Sequence, residues 1–109
     1  MSVSRQYVDA VNAADGDALL GLFAEDATLL HPLGSFTGHE ELRGFYDGVV
    51  FQGHAVTTVL SVEELDDGEL ALLSATSRVS EPGAKPLFAA DVFRLDAEGR
   101  ITELQIFYR

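Results

Sequence analysis

Short turn sequences divide the second half of the chain into segments of strand length, and this division constrains the fold more than any other feature. Two of the turns contain Asp-Gly or Glu-Gly pairs, which are typical of hairpins. The segments between them carry the apolar residues of a packed sheet. The sequence therefore predicts a meander of four strands, at Ala55–Glu64, Glu69–Ser80, Pro86–Leu95 and Ile101–Tyr108, with turns at 66–68, 81–85 and 96–100.

Helical periodicity characterises the first half of the chain, where apolar residues recur every three or four positions. We predict three helices and one short strand, with Asp17 capping the second helix. Helices followed by a strand meander favour an α+β fold, in which the helices pack on one face of a curved antiparallel sheet. The predicted helices are residues 3–14, Ala18–Ala24 and His39–Val50; the strand is Ala27–Leu30, followed by a turn at 32–35.

Composition narrows the class of protein. A chain of 109 residues is the size of one domain, which we place at 1–109. The net charge of −11 argues against nucleic acid and anionic membranes as partners. Because there is no cysteine, disulfides and thiolate chemistry are excluded. The sequence has neither a signal-peptide pattern nor an apolar run of membrane-spanning length, so we expect a cytoplasmic protein.

Two of the predicted strands are apolar on both faces, around residues 70–73 and 87–90. An antiparallel sheet with one face in water should instead alternate between apolar and polar residues. A second apolar face needs cover, and a homodimer through the outer face of the sheet is the simplest way to provide it. A monomer with an exposed apolar patch is the alternative.

Asp91 lies in the most apolar strand, on the same face as Ala89 and Phe93. If that face lines a cavity, desolvation raises the pKa of the carboxyl, which then stays protonated and donates a hydrogen bond near neutral pH. Tyr7 lies on the apolar stripe of the first helix, so a buried hydroxyl there needs a polar partner or a ligand. The alternatives are a surface Asp91 and an ordinary core tyrosine.

His31 ends the short strand directly before Pro32, which biases its backbone towards an extended conformation. An imidazole can accept and return a proton near neutral pH. A base opposite two hydrogen-bond donors is the minimum set for removing a proton next to a carbonyl. The alternatives are an acid that protonates an oxygen atom and a hydrogen-bonded structural histidine.

The other two histidines, His39 and His54, lack the spacing of a compact metal site, and we expect no metal. There is no glycine-rich phosphate loop and no dinucleotide-binding motif, so we expect no cofactor. No serine lies in a nucleophile-elbow context.

Three stretches, at 5–32, 38–49 and 88–100, resemble bacterial ketosteroid isomerase of the nuclear-transport-factor-2-like, SnoaL-like superfamily. The resemblance implies a cone-shaped, curved antiparallel sheet wrapped by three N-terminal helices. It places Tyr7 and Asp91 at the two oxyanion-hole positions, a pair that ketosteroid isomerase itself exemplifies. It places His31, in the run Leu30-His31-Pro32-Leu33-Gly34, at the position of the general base. Members of this superfamily commonly form homodimers.

The resemblance also implies a hydrophobic pocket for a steroid-like or polyketide-like ligand, without cofactor. The implied function is proton transfer on a hydrophobic carbonyl substrate, as in steroid Δ-isomerase. The alternatives are a SnoaL-like polyketide cyclase or dehydratase, and a non-catalytic dimer that binds small molecules. The implied pocket wall, which could equally be plain core, consists of Phe23, Phe45, Tyr46, Val49, Val56, Phe93, Leu104, Ile106 and Tyr108.

Overall fold

The computed structural model describes residues 2–52, 55–77 and 87–108. Within them, no helix is long and apolar enough to cross a membrane. The helices are α1 (Val3–Asn12), α2 (Gly16–Leu20) and α3 (Gly38–Phe45), and α3 continues into a π-helical turn (Tyr46–Val50). The strands are β1 (Phe23–His31), β2 (Gly34–Thr37), β3 (Ala55–Leu65), β4 (Gly68–Ser77), β5 (Leu87–Leu95) and β6 (Ile101–Tyr108).

The strands form one six-stranded sheet in the order β2-β1-β6-β5-β4-β3. The predicted meander of β3 to β6 is antiparallel throughout, as expected. The predicted antiparallel sheet differs from the structure at one place, where β1 pairs with β6 in parallel. The predicted turn at 81–85, with the strand residues 78–80 and 86, lies outside the described residues.

The region between α1 and α3 differs from the prediction. Asp15, not Asp17, caps α2, by accepting a hydrogen bond from the Ala18 N–H at 3.1 Å. The helix is shorter than predicted, because the Ile101 N–H donates to the Leu22 carbonyl and pairing with β6 begins there. β1 therefore starts at Phe23, four residues earlier than predicted. The predicted turn at 32–35 is also shorter, since residues 34–37 form β2 and pair back onto β1.

α1 is held against the sheet at both of its ends. Near its start, the N–H and Oγ of the buried Ser4 both donate to Glu69 Oε1 of β4, at 3.0 and 2.6 Å. At its end, the Asn12 side chain donates to the Thr57 carbonyl and accepts from the Thr57 N–H, at 2.8 and 2.7 Å. These two attachments fix the position of Tyr7 between them.

The predicted third helix changes its hydrogen-bond pattern part of the way along. From Tyr46 the backbone forms a π turn, closed by the Phe51 N–H donating to the Tyr46 carbonyl at 2.8 Å. The wider turn keeps Phe45 and Tyr46 buried at 3% and 1% exposure, whereas Val49 is 46% exposed.

Candidate active site

A cavity of about 230 Å³ lies between α1, the α3 segment with its π turn, and the inner face of the sheet. Apolar side chains form most of its wall, and the polar atoms come from few residues. The wall consists of Tyr7, Val11, Phe45, Val49, Val50, Thr57, Leu73, Ala75, Leu87, Ala89, Asp91, Ile106 and Tyr108.

Asp91 is the buried carboxyl of this wall, with 2% of its surface exposed. Strand register places it opposite Ala71 on β4 and Ile106 on β6, both of which are buried. Its Oδ1 is buried and has no hydrogen-bond partner within the part of the chain that is described. Because burial disfavours the charged form, the pKa of the carboxyl is raised to about 7.

Tyr7 also lines the cavity, with its hydroxyl 2.7 Å from the hydroxyl of Tyr46. Its ring packs edge-on against Phe93, with the ring centroids 5.2 Å apart. Burial raises the pKa of Tyr7, and the nearby Tyr46 and Asp91 add to this effect. Burial likewise raises the pKa of Tyr46. Both phenols therefore stay protonated near neutral pH. One hydroxyl donates its proton to the other, and the hydroxyl that accepts can still donate its own proton to a ligand.

His31 does not line the cavity itself but contacts a residue that does. Its Nε2 lies 3.0 Å from the Tyr108 hydroxyl, and its Nδ1 accepts a hydrogen bond from the Leu33 N–H at 3.0 Å. Its ring also packs against Phe45, with the centroids 4.9 Å apart. Partial burial lowers the pKa of His31, which favours the neutral imidazole.

Of the nine residues predicted to form the pocket wall, four line the cavity: Phe45, Val49, Ile106 and Tyr108. Four others, Phe23, Tyr46, Phe93 and Leu104, are buried in the core behind it. Val56 does not line the cavity. Side chains alternate between the two faces of β3, and the neighbouring Thr57 is the one that faces the cavity. The predicted wall omitted seven residues, because the lining depends on how α1, the π turn and the sheet meet: Val11, Val50, Thr57, Leu73, Ala75, Leu87 and Ala89.

His39 is not part of the cavity wall. His39 Nε2 lies 3.1 Å from the Phe23 carbonyl, where it ties the start of α3 to β1. His54 lies outside the described residues. Among residues 2–52, 55–77 and 87–108, no group of three acidic or histidine side chains is arranged to hold a metal ion.

Comparison with known proteins identifies relatives of this chain. The sequence model of the SnoaL-like domain matches residues 4–104. A steroid Δ-isomerase of Nocardioides simplex is 29% identical over 105 residues, which cover 94% of this chain and 84% of the relative.

Two solved structures share the fold. The epoxide hydrolase/cyclase-like enzyme SalBIII, which acts in pyran ring formation in polyether salinomycin, is 25% identical with a TM-score of 0.81 over 98% of this chain and 88% of its own. A Mycobacterium tuberculosis protein in complex with estradiol-17β-hemisuccinate is 18% identical, with a TM-score of 0.80 over 98% and 91% of the two chains.

Proposed function

Because the chain belongs to the SnoaL-like domain family, we propose that it catalyses cofactor-independent proton transfer on a small hydrophobic carbonyl compound, as a steroid Δ-isomerase does. One observation carries this proposal: the buried Oδ1 of Asp91 has no partner among the described residues and belongs to the wall of an apolar cavity. An unpaired buried carboxyl costs stability. A ligand oxygen in the cavity would supply the missing hydrogen bond.

Tyr7 and Asp91 are the proposed oxyanion hole. With its pKa raised to about 7, Asp91 is protonated in a large fraction of molecules near neutral pH and can donate through its hydroxyl. Tyr7 is the second donor when Tyr46 donates to it. Two donors fixed in an apolar site stabilise the negative charge that develops on a carbonyl oxygen as an enolate forms. The 29% identity to a steroid Δ-isomerase supports this chemistry.

The Tyr108 hydroxyl is a further polar group of the cavity wall, and His31 Nε2 lies 3.0 Å behind it. The resemblance places His31 at the position of the general base, so His31 is the proposed base or acid that moves the proton. The substrate is proposed to be a flat, hydrophobic ketone, since the wall offers mostly apolar surface with a few convergent polar groups.

A polyketide cyclase or dehydratase is the second candidate. SalBIII, described as epoxide hydrolase/cyclase-like, is 25% identical and supports this alternative. The Tyr108 hydroxyl also suits it, since a phenol can donate to an epoxide or a leaving hydroxyl oxygen. A non-catalytic binder is the third candidate, and activity assays on the intact protein separate it from the other two.

The test compares Asp91→Asn with Asp91→Leu in the isomerisation of androst-5-ene-3,17-dione, followed by absorbance of the conjugated ketone. An amide still donates, so the Asn variant should keep much of the activity. The Leu variant should lose on the order of a hundredfold, the cost of one oxyanion donor. Asp26→Asn, at an exposed site on β1, is the matched control. Equal losses for the two Asp91 variants would remove the oxyanion role.

We also propose that the protein forms a homodimer through an outer patch on the far side of the sheet. The patch consists of Leu60, Leu72, Phe88, Ala90 and Phe107. Leu72, Ala90 and Phe107 form one row across β4, β5 and β6, facing away from the row that contains Asp91. Leu60, Leu72 and Phe107 are 54%, 44% and 48% exposed, and apolar surface of this kind favours association.

A further inference from the structure

The pairing of the strands shows how far the cavity extends along the inner face of the sheet. Asp91 and Leu87 both belong to β5 and both line the cavity. Leu87 pairs with Ala75 of β4, which pairs with Thr57 of β3, and these two residues also line it. Because Asp91 and Leu87 are four residues apart on one strand, their rows are about 13 Å apart. The cavity is therefore long enough for an elongated molecule.

Each end of this span carries a polar side chain. At the inner end, Tyr7 and Asp91 are buried, with 5% and 2% of their surfaces exposed. At the outer end, the half-buried Thr57 contributes a hydroxyl, whereas the other two members of its row, Ala75 and Leu87, are apolar. A threonine hydroxyl both donates and accepts hydrogen bonds. It can therefore bind either a ketone or a hydroxyl oxygen.

Asn12, the last residue of α1, fixes the backbone of Thr57. Its side-chain amide donates to the Thr57 carbonyl at 2.8 Å and accepts from the Thr57 N–H at 2.7 Å. β3 is the last strand of the described sheet, so these two bonds take the place of a neighbouring strand at this residue. Because α1 also carries Tyr7, one helix sets the distance between the two polar ends of the cavity.

The distance between Asp91 and Thr57 defines the length of a ligand that contacts both. Their rows are about 13 Å apart along the strands, and β3 and β5 are two strand spacings, or about 10 Å, apart across them. A flat sheet would place the two backbones about 16 Å apart, and curvature can only shorten this distance. A hydrogen bond of about 3 Å at each end leaves at most about 10 Å between the two ligand oxygens. Several fused rings have this length, whereas a single ring reaches only one end.

We propose that Thr57 is a specificity-determining residue, whose hydroxyl forms a hydrogen bond with a second oxygen atom at the far end of the substrate, and that Asn12 is its positioning residue. This inference rests on the proposed function and names its substrate class. The class is an elongated, rigid, hydrophobic ketone with a ketone or hydroxyl oxygen at the opposite end. The ketone that enolises binds at Tyr7 and Asp91, and His31 remains the proposed base or acid.

The test measures the dissociation constants of two phenols that differ only in the far oxygen: equilenin, which carries a ketone there, and 17-deoxyequilenin, which lacks it. The preference for equilenin should be about three- to tenfold greater in the wild type than in the isosteric Thr57→Val, the range of one hydrogen bond. Thr57→Ser retains the hydroxyl and should keep the wild-type preference. The matched control is Thr58→Val, at the exposed neighbouring site of β3, and it should also keep the preference.

A second substitution tests the positioning role of Asn12. Asn12→Ala retains the Thr57 hydroxyl but releases both backbone groups of that residue. The preference for equilenin should therefore fall towards that of Thr57→Val, and the double variant should show no further fall, because both changes remove the same contact. A general loosening of the cavity would instead weaken both phenols alike. An unchanged preference in Asn12→Ala would overturn its positioning role.

Failure of this inference can be distinguished from failure of the proposed function. The same preference for equilenin in the wild type and in Thr57→Val would overturn the inference, and isomerisation of androst-5-ene-3,17-dione by that wild type would leave the proposed function standing. The expected preferences without any isomerase activity would support the ligand class and overturn the proposed reaction. A wild-type protein that binds neither phenol up to the solubility limit would overturn both.

Discussion

Asp91 combines three properties that rarely occur together in one carboxyl group. It is 2% exposed, one of its oxygens has no partner among the described residues, and its pKa is raised to about 7. Tyr7 and Tyr46, by comparison, satisfy each other at 2.7 Å. Burial alone accounts for the pKa of Asp91, so its charge state near neutral pH depends on whether the cavity stays dry.

This pKa predicts how stability depends on pH. The carboxyl binds its proton with a pKa near 3.8 when unfolded and about 7 when folded, so its stabilising contribution is complete below about pH 4 and is lost as pH rises to about 7. The total is about 4 kcal/mol, at about 1.4 kcal/mol for each pKa unit. Asp91→Asn should therefore gain stability relative to the wild type across this pH window and stay constant above it.

Urea unfolding at a series of pH values measures this difference, with the exposed Asp26→Asn as control. The control should run parallel to the wild type throughout. If the Asp91→Asn curve also runs parallel, the carboxyl is hydrated in the folded protein and the dry-cavity description is wrong.

At the scale of elements, the sequence predicted those strands whose turns carry their own signal. The Asp67-Gly68 and Glu98-Gly99 turns located the hairpins, and strand alternation placed Asp91 on the inner face. β2, the early start of β1 and the parallel β1–β6 pair were not predictable, because each depends on pairing with a distant segment.

In the candidate site, too, the residues with a local sequence signal were predictable and those that depend on distant segments were not. Tyr7 was predictable from the apolar stripe of α1, and it lines the cavity. The role of His31 was harder to predict, because the orientation of its ring depends on the Leu33 N–H and on Tyr108, which is 77 positions away in the sequence. The π turn has no comparable sequence signature, and it changes which residues after Tyr46 meet the cavity.

Two glycines, Gly68 at the start of β4 and Gly44 in α3, offer a matched pair of substitutions with opposite expected effects on stability. A Cβ at Gly68 would lie 1.7 Å from the Phe93 carbonyl oxygen of β5, so Gly68→Ala must disrupt the β4–β5 pairing. A Cβ at Gly44, in α3, would meet nothing within 4 Å. Gly44→Ala should therefore stabilise the protein by about 0.5–1 kcal/mol, the helical preference for alanine.

Thermal unfolding of the two variants gives a direct comparison. We expect a clear fall in melting temperature for Gly68→Ala and a small rise for Gly44→Ala. Equal melting temperatures would mean that β4 and β5 do not approach as closely as described.

At the scale of the whole molecule, the sheet has two apolar faces with different roles. The inner face meets α1 and the α3 segment and forms the cavity. In the outer patch, Leu60, Leu72 and Phe107 are 54%, 44% and 48% exposed, and this makes self-association the proposed way to cover them. The two faces belong to the same strands, so alternate residues of β5 and β6 serve the cavity and the patch in turn.

The proposed dimer predicts that a charge in the outer patch separates the subunits. Leu72→Lys should produce a monomer, because burying an unpaired ammonium at an apolar interface is unfavourable. Leu33→Lys, at a site 69% exposed outside the patch, is the matched control and should remain dimeric. Sedimentation velocity measures both. A wild-type protein that sediments as a monomer would contradict the proposal.

Tyr7 and Asp91 are proposed to hold a ligand oxygen inside an apolar cavity. The most direct test is the binding of equilenin, whose fluorescence reports the state of its phenol. We expect saturable binding with a strongly hydrogen-bonded or ionised phenol. In Asp91→Leu the binding should weaken by at least about tenfold, or about 1.4 kcal/mol. Binding of equal strength in Asp91→Leu, or no binding up to the solubility limit, would contradict it.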